Sequence, residues 1–359
     1  MVGPGRLRIV FFGTPAFAIP TLDALLRSPH HVVGVVTQPD RPRGRGHKTS
    51  EGPVKARAIA AGVPVLQPDR LRDENFLDAC RALAADLGVV AAYGKILSDA
   101  VLAIPRLGLI NVHASLLPRY RGAAPVHRAI IAGERETGVT IMRVVKALDA
   151  GPMLAKAPRP IGPEETSDDV ERDLARLGAE LLVSTVDALA AGVAVETPQH
   201  DALATYAPRL TKDDGLIDWH QPAEHIHNLI RGLHPWPHAF TFLHAKRLIL
   251  LRSTVSRRNA VATDPGRKGD GPGTDSGRTR GGPGTDPDLS PDAAGTRPSG
   301  RAAAPGTIVE AAGDHLLIAA GAGVLQIREL QAEGRRPTTP REFLAGHRLA
   351  PGDRFSAAP

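Results

Sequence analysis

The stretch Leu107-Gly108-Leu109-Ile110-Asn111-Val112-His113-Ala114-Ser115-Leu116-Leu117-Pro118 begins apolar and ends in a polar turn. Its apolar part predicts a buried strand over residues 107–112, and the Pro- and Gly-containing segment after it predicts a turn at the strand's carboxyl end. Asn111 and His113 are two residues apart, so on a strand their side chains point to the same side. We therefore expect an amide and an imidazole side by side where a buried strand ends.

Strand patterns and helix patterns alternate on both sides of this stretch. Apolar runs predict strands at residues 8–12, 31–37, 63–66, 87–92 and 138–145, and helical spacing predicts helices at residues 17–26, 54–61, 73–84, 126–132 and 168–191. This alternation favours an α/β fold, with a Rossmann-like, mostly parallel sheet that helices cover on both faces. Ligands of such sheets bind at the carboxyl ends of the strands, where Asn111 and His113 are expected.

The second part of the chain has a different pattern. Short strand-like runs at residues 238–242, 247–255, 307–311, 315–319 and 324–330 predict a small OB-like β-barrel. We therefore expect two domains, at residues 1–205 and 206–359. Residues 257–305 are dominated by Gly, Pro, Asp, Thr and Arg, with Val261 and Leu289 as their only larger aliphatic residues. Such a segment buries too little apolar surface to fold, which predicts a disordered insertion in the barrel.

Composition narrows the class of protein. The 359 residues carry a net charge of +6, which suits a polyanionic partner, although an Arg-rich composition alone gives the same excess. Cys80 is the only cysteine, so internal disulfides and cysteine zinc sites are excluded and a cytoplasmic location is expected. The 14 histidines lack carboxylates at metal-binding spacing, so we expect no metal. No apolar stretch approaches the roughly 20 residues that span a membrane, and we expect a monomer without a membrane partner.

A dinucleotide cofactor is not expected. Gly13-Thr14-Pro15 follows the first predicted strand in place of a three-glycine loop. Pro15 also lacks the backbone N–H that a pyrophosphate site would use. The sequence therefore excludes a nicotinamide enzyme despite the fold class.

Asp149 is the third polar residue of interest. It lies in Lys146-Ala147-Leu148-Asp149-Ala150-Gly151, which we expect to form a turn after a strand next to that of His113. A carboxylate near an imidazole orients the ring and accepts a proton through water. A turn-forming Asp before Gly and a structural histidine are the alternatives. Together with Asn111, the two side chains would supply what acyl transfer to an amine requires, namely donors for the oxyanion and a base for the amine proton.

The motifs around these residues resemble those of the folate-dependent formyltransferases and hydrolases. The resemblance includes Asn111-x-His113, Ser115-Leu116-Leu117-Pro118, Arg121-Gly122 and Asp149 in its Leu-Asp-x-Gly position. Other stretches are similar to members that act on methionyl-tRNA, among them Thr37-Gln38-Pro39-Asp40-Arg41-Pro42, Ala92-Tyr93-Gly94, Ile217-Asp218-Trp219 and Pro235-Trp236-Pro237. The resemblance covers nearly the whole chain outside residues 257–305. It implies 10-formyltetrahydrofolate as the co-substrate and the α-amino group of methionine on initiator methionyl-tRNA as the acceptor, so that the product serves translation initiation.

The resemblance also implies roles for individual residues. It assigns catalysis to Asn111, His113 and Asp149. It implies that the folate co-substrate is bound by residues of two segments, namely Ser115, Leu116, Leu117, Pro118, Tyr93 and Gly94. Residues 38–57 are predicted as a basic loop that leads into a helix, and we expect the loop to overhang the edge where Asn111 lies. Loops of this kind hold tRNA phosphates or are simply solvated, and the tRNA contacts would be made by Arg41, Arg43, Arg45 and Lys48.

Two other functions remain open. One is a different folate-dependent enzyme, acting on a glycinamide ribonucleotide or a sugar nucleotide or hydrolysing formyl-folate. The other is a non-catalytic RNA-binding relative. The predicted barrel disfavours the glycinamide enzymes, and the basic loop disfavours the sugar-nucleotide enzymes. The intact set of Asn111, His113 and Asp149 disfavours a non-catalytic protein.

Overall fold

The computed structural model describes residues 5–43, 48–256 and 303–358. The predicted insertion lies outside these residues except for its last three, and so does Arg45. The strands are β1 (Arg8–Gly13), β2 (His31–Val36), β3 (Arg41–Arg43), β4 (Lys48–Ser50), β5 (Val65–Leu66), β6 (Leu87–Ala91), β7 (Leu109–His113), β8 (Arg121–Gly122), β9 (Glu136–Arg143), β10 (Met153–Pro160), β11 (Tyr206–Ala207), β12 (Ala239–Leu243), β13 (Lys246–Ser256), β14 (Ile308–Ala312), β15 (His315–Ala319) and β16 (Val324–Ala332).

The helices follow the predicted order, with three that the sequence patterns did not delimit. They are α1 (Ile19–Arg27), α2 (Pro53–Ala60), α3 (Glu74–Ala82), α4 (Asp99–Leu102), α5 (Pro125–Ile131), α6 (Ser167–Ala190), α7 (Ala223–Gly232) and α8 (Pro340–Gly346). Helix α6 begins at a capping box, in which the Thr166 hydroxyl accepts from the backbone N–H of Asp169 and the Asp169 carboxylate accepts from that of Thr166. The predicted helix at residues 17–26 begins instead with a 3₁₀ turn at Ala16–Ala18, and Pro20 follows in the first turn of α1.

The first sheet has seven strands in the order β10-β9-β7-β6-β1-β2-β5. The strands from β7 to β5 are parallel, which confirms the Rossmann-like fold, whereas β9 runs antiparallel to both β7 and β10. Arg143, at the end of β9, therefore pairs with Ile110 near the start of β7. The segment with Asp149, which the sequence predicts as a turn after β9, therefore begins beside the start of β7 and not beside His113.

Apolar side chains fill both faces of this sheet. One core contains Leu22 of α1, Val54 of α2 and Leu174 of α6 against strand residues such as Ile110. The other core, on the opposite face, contains Phe76 and Cys80 of α3, and burial raises the pKa of the Cys80 thiol to about 11. The predicted coverage of both faces is therefore confirmed. No helix in the described ranges is long and apolar enough to cross a membrane.

The second sheet has five antiparallel strands in the order β12-β13-β16-β15-β14. The C-terminal segment joins its two edges, because Ser356 bridges to Phe242 of β12 and Arg354 bridges to Thr307, next to β14. Closure by this segment gives the sheet the barrel-like form that the spacing of the runs predicts. Strand β11 pairs with β8 of the first part of the chain, so the boundary expected at residue 205 stays a prediction.

Candidate active site

His113 is held rigidly at the carboxyl end of β7. Its side chain is 6% exposed, and Nε2 lies 3.0 Å from the backbone oxygen of Tyr120. Because a carbonyl oxygen only accepts hydrogen bonds, Nε2 carries a proton in this arrangement. The other ring nitrogen, Nδ1, lies 3.7 Å from Oδ2 of Asp149. Nδ1 is therefore the nitrogen available for chemistry.

Asp149 reaches the histidine from residues 144–152, the connection between β9 and β10. The backbone N–H of Gly122 donates to its Oδ2 at 2.9 Å, and its side chain is 15% exposed. The backbone of Asp149 is left-handed, with φ of +47°, a conformation uncommon for residues other than glycine. The surrounding contacts thus hold the carboxylate against Nδ1 of His113.

Asn111 lies on β7 two residues before His113 and is half-buried. Since alternate side chains of a strand share one face, the amide and the imidazole project from the same side of the sheet. The structure therefore brings His113 and Asp149 into proximity and puts Asn111 on the same face as the ring.

The turn after β7 is fixed by a buried hydroxyl on a neighbouring strand. Thr140 of β9 donates from its Oγ1 to the backbone oxygen of Ser115 at 2.7 Å and accepts from the N–H of Leu117 at 3.1 Å. Lys156 of β10 adds an Nζ donor to the backbone oxygen of Leu117 at 2.8 Å. Ser115 and Leu117 are fully buried, so a ligand meets this turn through its backbone and through the half-buried Leu116 and Pro118.

Tyr93 and Gly94 follow β6, on the same edge of the sheet. The Tyr93 ring is buried against Phe12, with ring centroids 5.7 Å apart, and burial raises the pKa of its hydroxyl to about 12. Its backbone oxygen accepts from Gln38 Nε2 at 2.8 Å and from Thr14 Oγ1 at 3.2 Å. The side chain of Tyr93 thus belongs to the core, and this segment offers its backbone to the edge of the sheet.

Two models of known protein families match this chain. A family model described as "Formyl transferase" matches residues 7–186, and one described as "Formyl transferase, C-terminal domain" matches residues 209–279 and 288–348. This chain belongs to the formyl transferase family.

Two relatives show how far the similarity to other formyl transferases extends. The chain is 43% identical to methionyl-tRNA formyltransferase of Geobacter sulfurreducens over 352 residues, which cover 98% of each protein. It is 45% identical to methionyl-tRNA formyltransferase of Pelobacter propionicus over 350 residues, covering 98% of this chain and 96% of that protein. The similarity therefore includes both parts of the fold.

Solved structures share the formyl transferase fold at much lower identity. The N-formyltransferase from Helicobacter canadensis, in complex with folinic acid and dTDP-3-aminofucose, gives a TM-score of 0.62 at 15% identity, covering 91% of this chain and 99% of that one. HypX from Aquifex aeolicus, in complex with tetrahydrofolic acid, gives 0.58 at 14% identity, covering 95% of this chain and 47% of that one. At these identities the likeness concerns the fold alone.

The described part of the basic loop contains two short strands that the sequence pattern did not predict. Strands β3 and β4 form an antiparallel hairpin, with Arg43 paired to Lys48 and Arg41 paired to Ser50. At its base, Lys55 of α2 binds the Asp40 carboxylate, which lowers the pKa of that group. The hairpin follows β2 and therefore rises from the carboxyl edge of the parallel strands.

The roles of two residues near the site were not predicted from the sequence. Thr140 is a polar residue inside an apolar strand run, which is a signal of a specific hydrogen-bonding role. Gln199 lies after α6, in a stretch without any local pattern, yet it contacts the backbone on both sides of Ala150. Residues at such sequence separation are brought to the site by the fold and not by a motif.

Proposed function

We propose that this formyl transferase moves the formyl group of 10-formyltetrahydrofolate to the α-amino group of methionine on initiator methionyl-tRNA. One observation carries the proposal. The carboxylate of Asp149 lies 3.7 Å from the imidazole of His113, on the strand that also bears Asn111. The full-length similarity to methionyl-tRNA formyltransferases, at 43% and 45% identity, supports this acceptor over other amines.

The donors and acceptors fit this chemistry. When the amine nitrogen attacks the formyl carbon, the formyl oxygen gains negative charge. The Asn111 amide and a proton on Nδ1 of His113 would stabilise that oxyanion through hydrogen bonds. The amine must also lose a proton, and the Asp149 carboxylate would accept it directly or through a water. The folate nitrogen leaves with the electron pair of the broken C–N bond and takes up a proton.

The tautomer of His113 determines which ring nitrogen takes part in the reaction. Nε2 donates to Tyr120, so only Nδ1 is free to serve the reaction. With Nδ1 protonated, the ring is a cation beside a carboxylate, which is a favourable pair. Asp149 therefore has two roles in the proposal, as the partner of the protonated ring and as the acceptor of the amine proton.

The co-substrate supplies the activated formyl group, and the turn of Ser115, Leu116, Leu117 and Pro118 with the backbone at Tyr93 and Gly94 would bind it. Such a role fits a turn in which the buried side chains of Ser115 and Leu117 fix the backbone in place. Formyl transfer needs a rigidly held co-substrate, because the formyl carbon must meet the amine nitrogen within a narrow range of geometry.

Arg41, Arg43, Arg45 and Lys48 of the basic loop would contact tRNA phosphates. Removing one arginine or lysine contact to a phosphate reduces the slope of log affinity against log salt concentration by about 1. Arg45→Ala should therefore raise the KM for methionyl-tRNA and flatten its salt dependence, with little effect on kcat. An unchanged KM at every salt concentration would remove Arg45 from the interface.

The decisive assay offers three formyl acceptors to the purified protein with 10-formyltetrahydrofolate. We expect formylation of methionyl-tRNA and none of free methionine or an amino-sugar nucleotide. His113→Ala should lower kcat by about 100-fold or more while methionyl-tRNA affinity stays near normal. His220→Ala, at a histidine that is 73% exposed in the second part of the chain, is the matched control. Transfer to the sugar nucleotide in preference to the tRNA would refute the proposal.

We further propose that the enzyme acts in the cytoplasm as a monomer and without a metal. The cysteine content supports a reducing compartment. Sedimentation of the active protein tests the monomer, and full activity after dialysis against a chelator tests the absence of a metal requirement. Activity that returns only when a divalent cation is added back would overturn the last point.

A further inference from the structure

The segment between α6 and the second sheet follows the edge of the candidate active site. At its start, Thr197 and Met153 exchange two backbone hydrogen bonds of 2.8 Å. At its end, Tyr206 pairs with Arg121, next to the glycine that contacts Asp149. The segment is thus fixed to both pieces of backbone that meet at the Asp149 carboxylate.

Gln199 lies within this segment, and its amide makes four hydrogen bonds. Nε2 donates to the backbone oxygens of Asp149 and Gly151, each at 2.8 Å. Oε1 accepts from Nε and Nη2 of Arg121, at 3.1 Å and 2.9 Å. A primary amide has two donor hydrogens and two acceptor lone pairs, so the Gln199 amide uses all of its hydrogen-bonding capacity on the Asp149 connection and on Arg121.

These contacts support an uncommon backbone conformation at Asp149. Its φ of +47° lies in the left-handed region, where residues other than glycine need support from their surroundings. Gln199 supplies that support by binding the carbonyls before and after Ala150. Through Arg121 it also holds Gly122, whose N–H donates to Asp149 Oδ2.

We infer that Gln199 is a positioning residue, which sets the Asp149 carboxylate against Nδ1 of His113. The inference rests on the proposed function, because it assigns Gln199 a role in the same reaction. Asp201 provides a matched control in the same segment. Its carboxylate binds the same Arg121 side chain at 2.7 Å and is 83% exposed, and no hydrogen bond of the described residues joins it to the Asp149 backbone.

Three variants separate the two halves of the Gln199 contact. Gln199→Leu removes all four hydrogen bonds. Gln199→Glu keeps the acceptor for Arg121 but turns a carboxylate toward the carbonyls of Asp149 and Gly151. Asp201→Ala weakens only the hold on Arg121. Displacing a catalytic group by about 1 Å costs on the order of 100-fold in rate.

For both Gln199 variants we expect kcat for methionyl-tRNA to fall by about 10- to 100-fold. The KM for methionyl-tRNA and the KM for 10-formyltetrahydrofolate should stay nearly unchanged. The pH at which kcat is half-maximal should also move, because the carboxylate and the imidazole no longer face each other as in the parent. Asp201→Ala should behave like the parent in kcat and in its pH profile. Circular dichroism and thermal unfolding measure the folded fraction, to which each rate is referred.

Several results would overturn the inference. They are a Gln199→Glu protein with the kcat and pH profile of the parent per folded molecule, or an Asp201→Ala protein that loses as much kcat as Gln199→Leu. A loss confined to KM would also overturn it, since it would place Gln199 in substrate binding. If the parent itself does not formylate methionyl-tRNA, the proposed function fails instead, and the two failures are therefore distinguishable.

Discussion

Gly151→Ala should disable the candidate active site without touching any group that takes part in the chemistry. A Cβ added at Gly151 would lie 1.9 Å from the backbone oxygen of Arg143. That oxygen belongs to β9, which pairs with β7 and β10 inside the first sheet. The connection that carries Asp149 must therefore yield, because the strand is held on both sides.

The size of the effect follows from that distance. Real Cβ atoms essentially never approach within 3.0 Å of such an atom, so the backbone at Gly151 must move by about 1 Å to reach that separation. Asp149 is two residues away, and a displacement of about 1 Å at a reacting group lowers rates on the order of 100-fold. This corresponds to about 2.7 kcal/mol of lost transition-state stabilisation. Overpacking should also lower the free energy of unfolding by about 1–3 kcal/mol.

Steady-state formylation of methionyl-tRNA, with urea unfolding of the same samples, measures both effects. We expect kcat to fall and the KM for tRNA to stay nearly constant, which is the pattern of an interaction lost mainly in the transition state. Gly346→Ala is the control, because no atom lies within 4 Å of its added Cβ, at the end of α8. A Gly151→Ala protein with kcat within about twofold of the parent would refute the reasoning that the returning connection positions Asp149.

Three further predictions address charge, hydrogen bonding and pH. Asp149→Asn keeps the side-chain shape but removes the negative charge, so kcat should fall by about 100-fold or more in steady-state assays, and a change in KM alone would contradict this. Thr140→Val leaves the Ser115 carbonyl and the Leu117 N–H unpaired and should lower the free energy of unfolding by about 2 kcal/mol. An unchanged midpoint of urea unfolding would contradict this. Partial burial, with a smaller contribution from Asp168, raises the pKa of Glu171 from 4.5 to about 7, so the folded state binds more protons than the unfolded state between those values and loses stability as pH rises. Glu171→Gln should thus gain stability relative to the parent as pH rises from 5 to 8. Because this side chain is 39% exposed, the gain should be well under the roughly 1.4 kcal/mol per pH unit of a fully buried group. A stability difference that is the same at pH 5 and pH 8 would contradict this.

The sequence was most informative where short-range spacing determines structure. Apolar runs predicted β1, β2, β6 and β7 to within two residues at each end, because a strand buried on both faces is mostly apolar, even in β7 where Asn111 lies within the strand. The spacing of Asn111 and His113 likewise predicted that they share a face, since that follows from the pleat alone.

Strand β10 was not predicted, for an identifiable reason. Its sequence, MLAKAPRP, includes Pro158 and Pro160, which argue against a strand in most positions. Here β10 is the edge strand of the sheet, where a missing backbone N–H is tolerated. Whether a strand lies at an edge depends on the order of the whole sheet, which no local pattern contains.

The direction of β9 was the other long-range unknown, and it governs the candidate site. Had β9 been parallel to β7, its end would lie beside His113, and a short turn would suffice to present Asp149. Because β9 is antiparallel, its last residue pairs with Ile110, and residues 144–149 must extend back toward the carboxyl end of β7 before the carboxylate reaches the ring. A connection of this kind gets little support from its own strand, so its position must come from elsewhere in the fold.

The contacts that supply this support come from residues distant in sequence from Asp149. Gly122 of β8 donates to the Asp149 carboxylate, and Gln199, from the segment after α6, binds the Asp149 carbonyl. Each meets the Asp149 connection only once the sheet has formed, so the resemblance identifies Asp149 as functional without indicating what holds it. The reacting groups are therefore readable from a short motif, whereas the distance of 3.7 Å between two of them is a property of the entire first sheet. Substitutions at Gln199 or Gly151, neither of which reaches the reacting atoms, should accordingly impair the reaction nearly as much as substitutions in the motif.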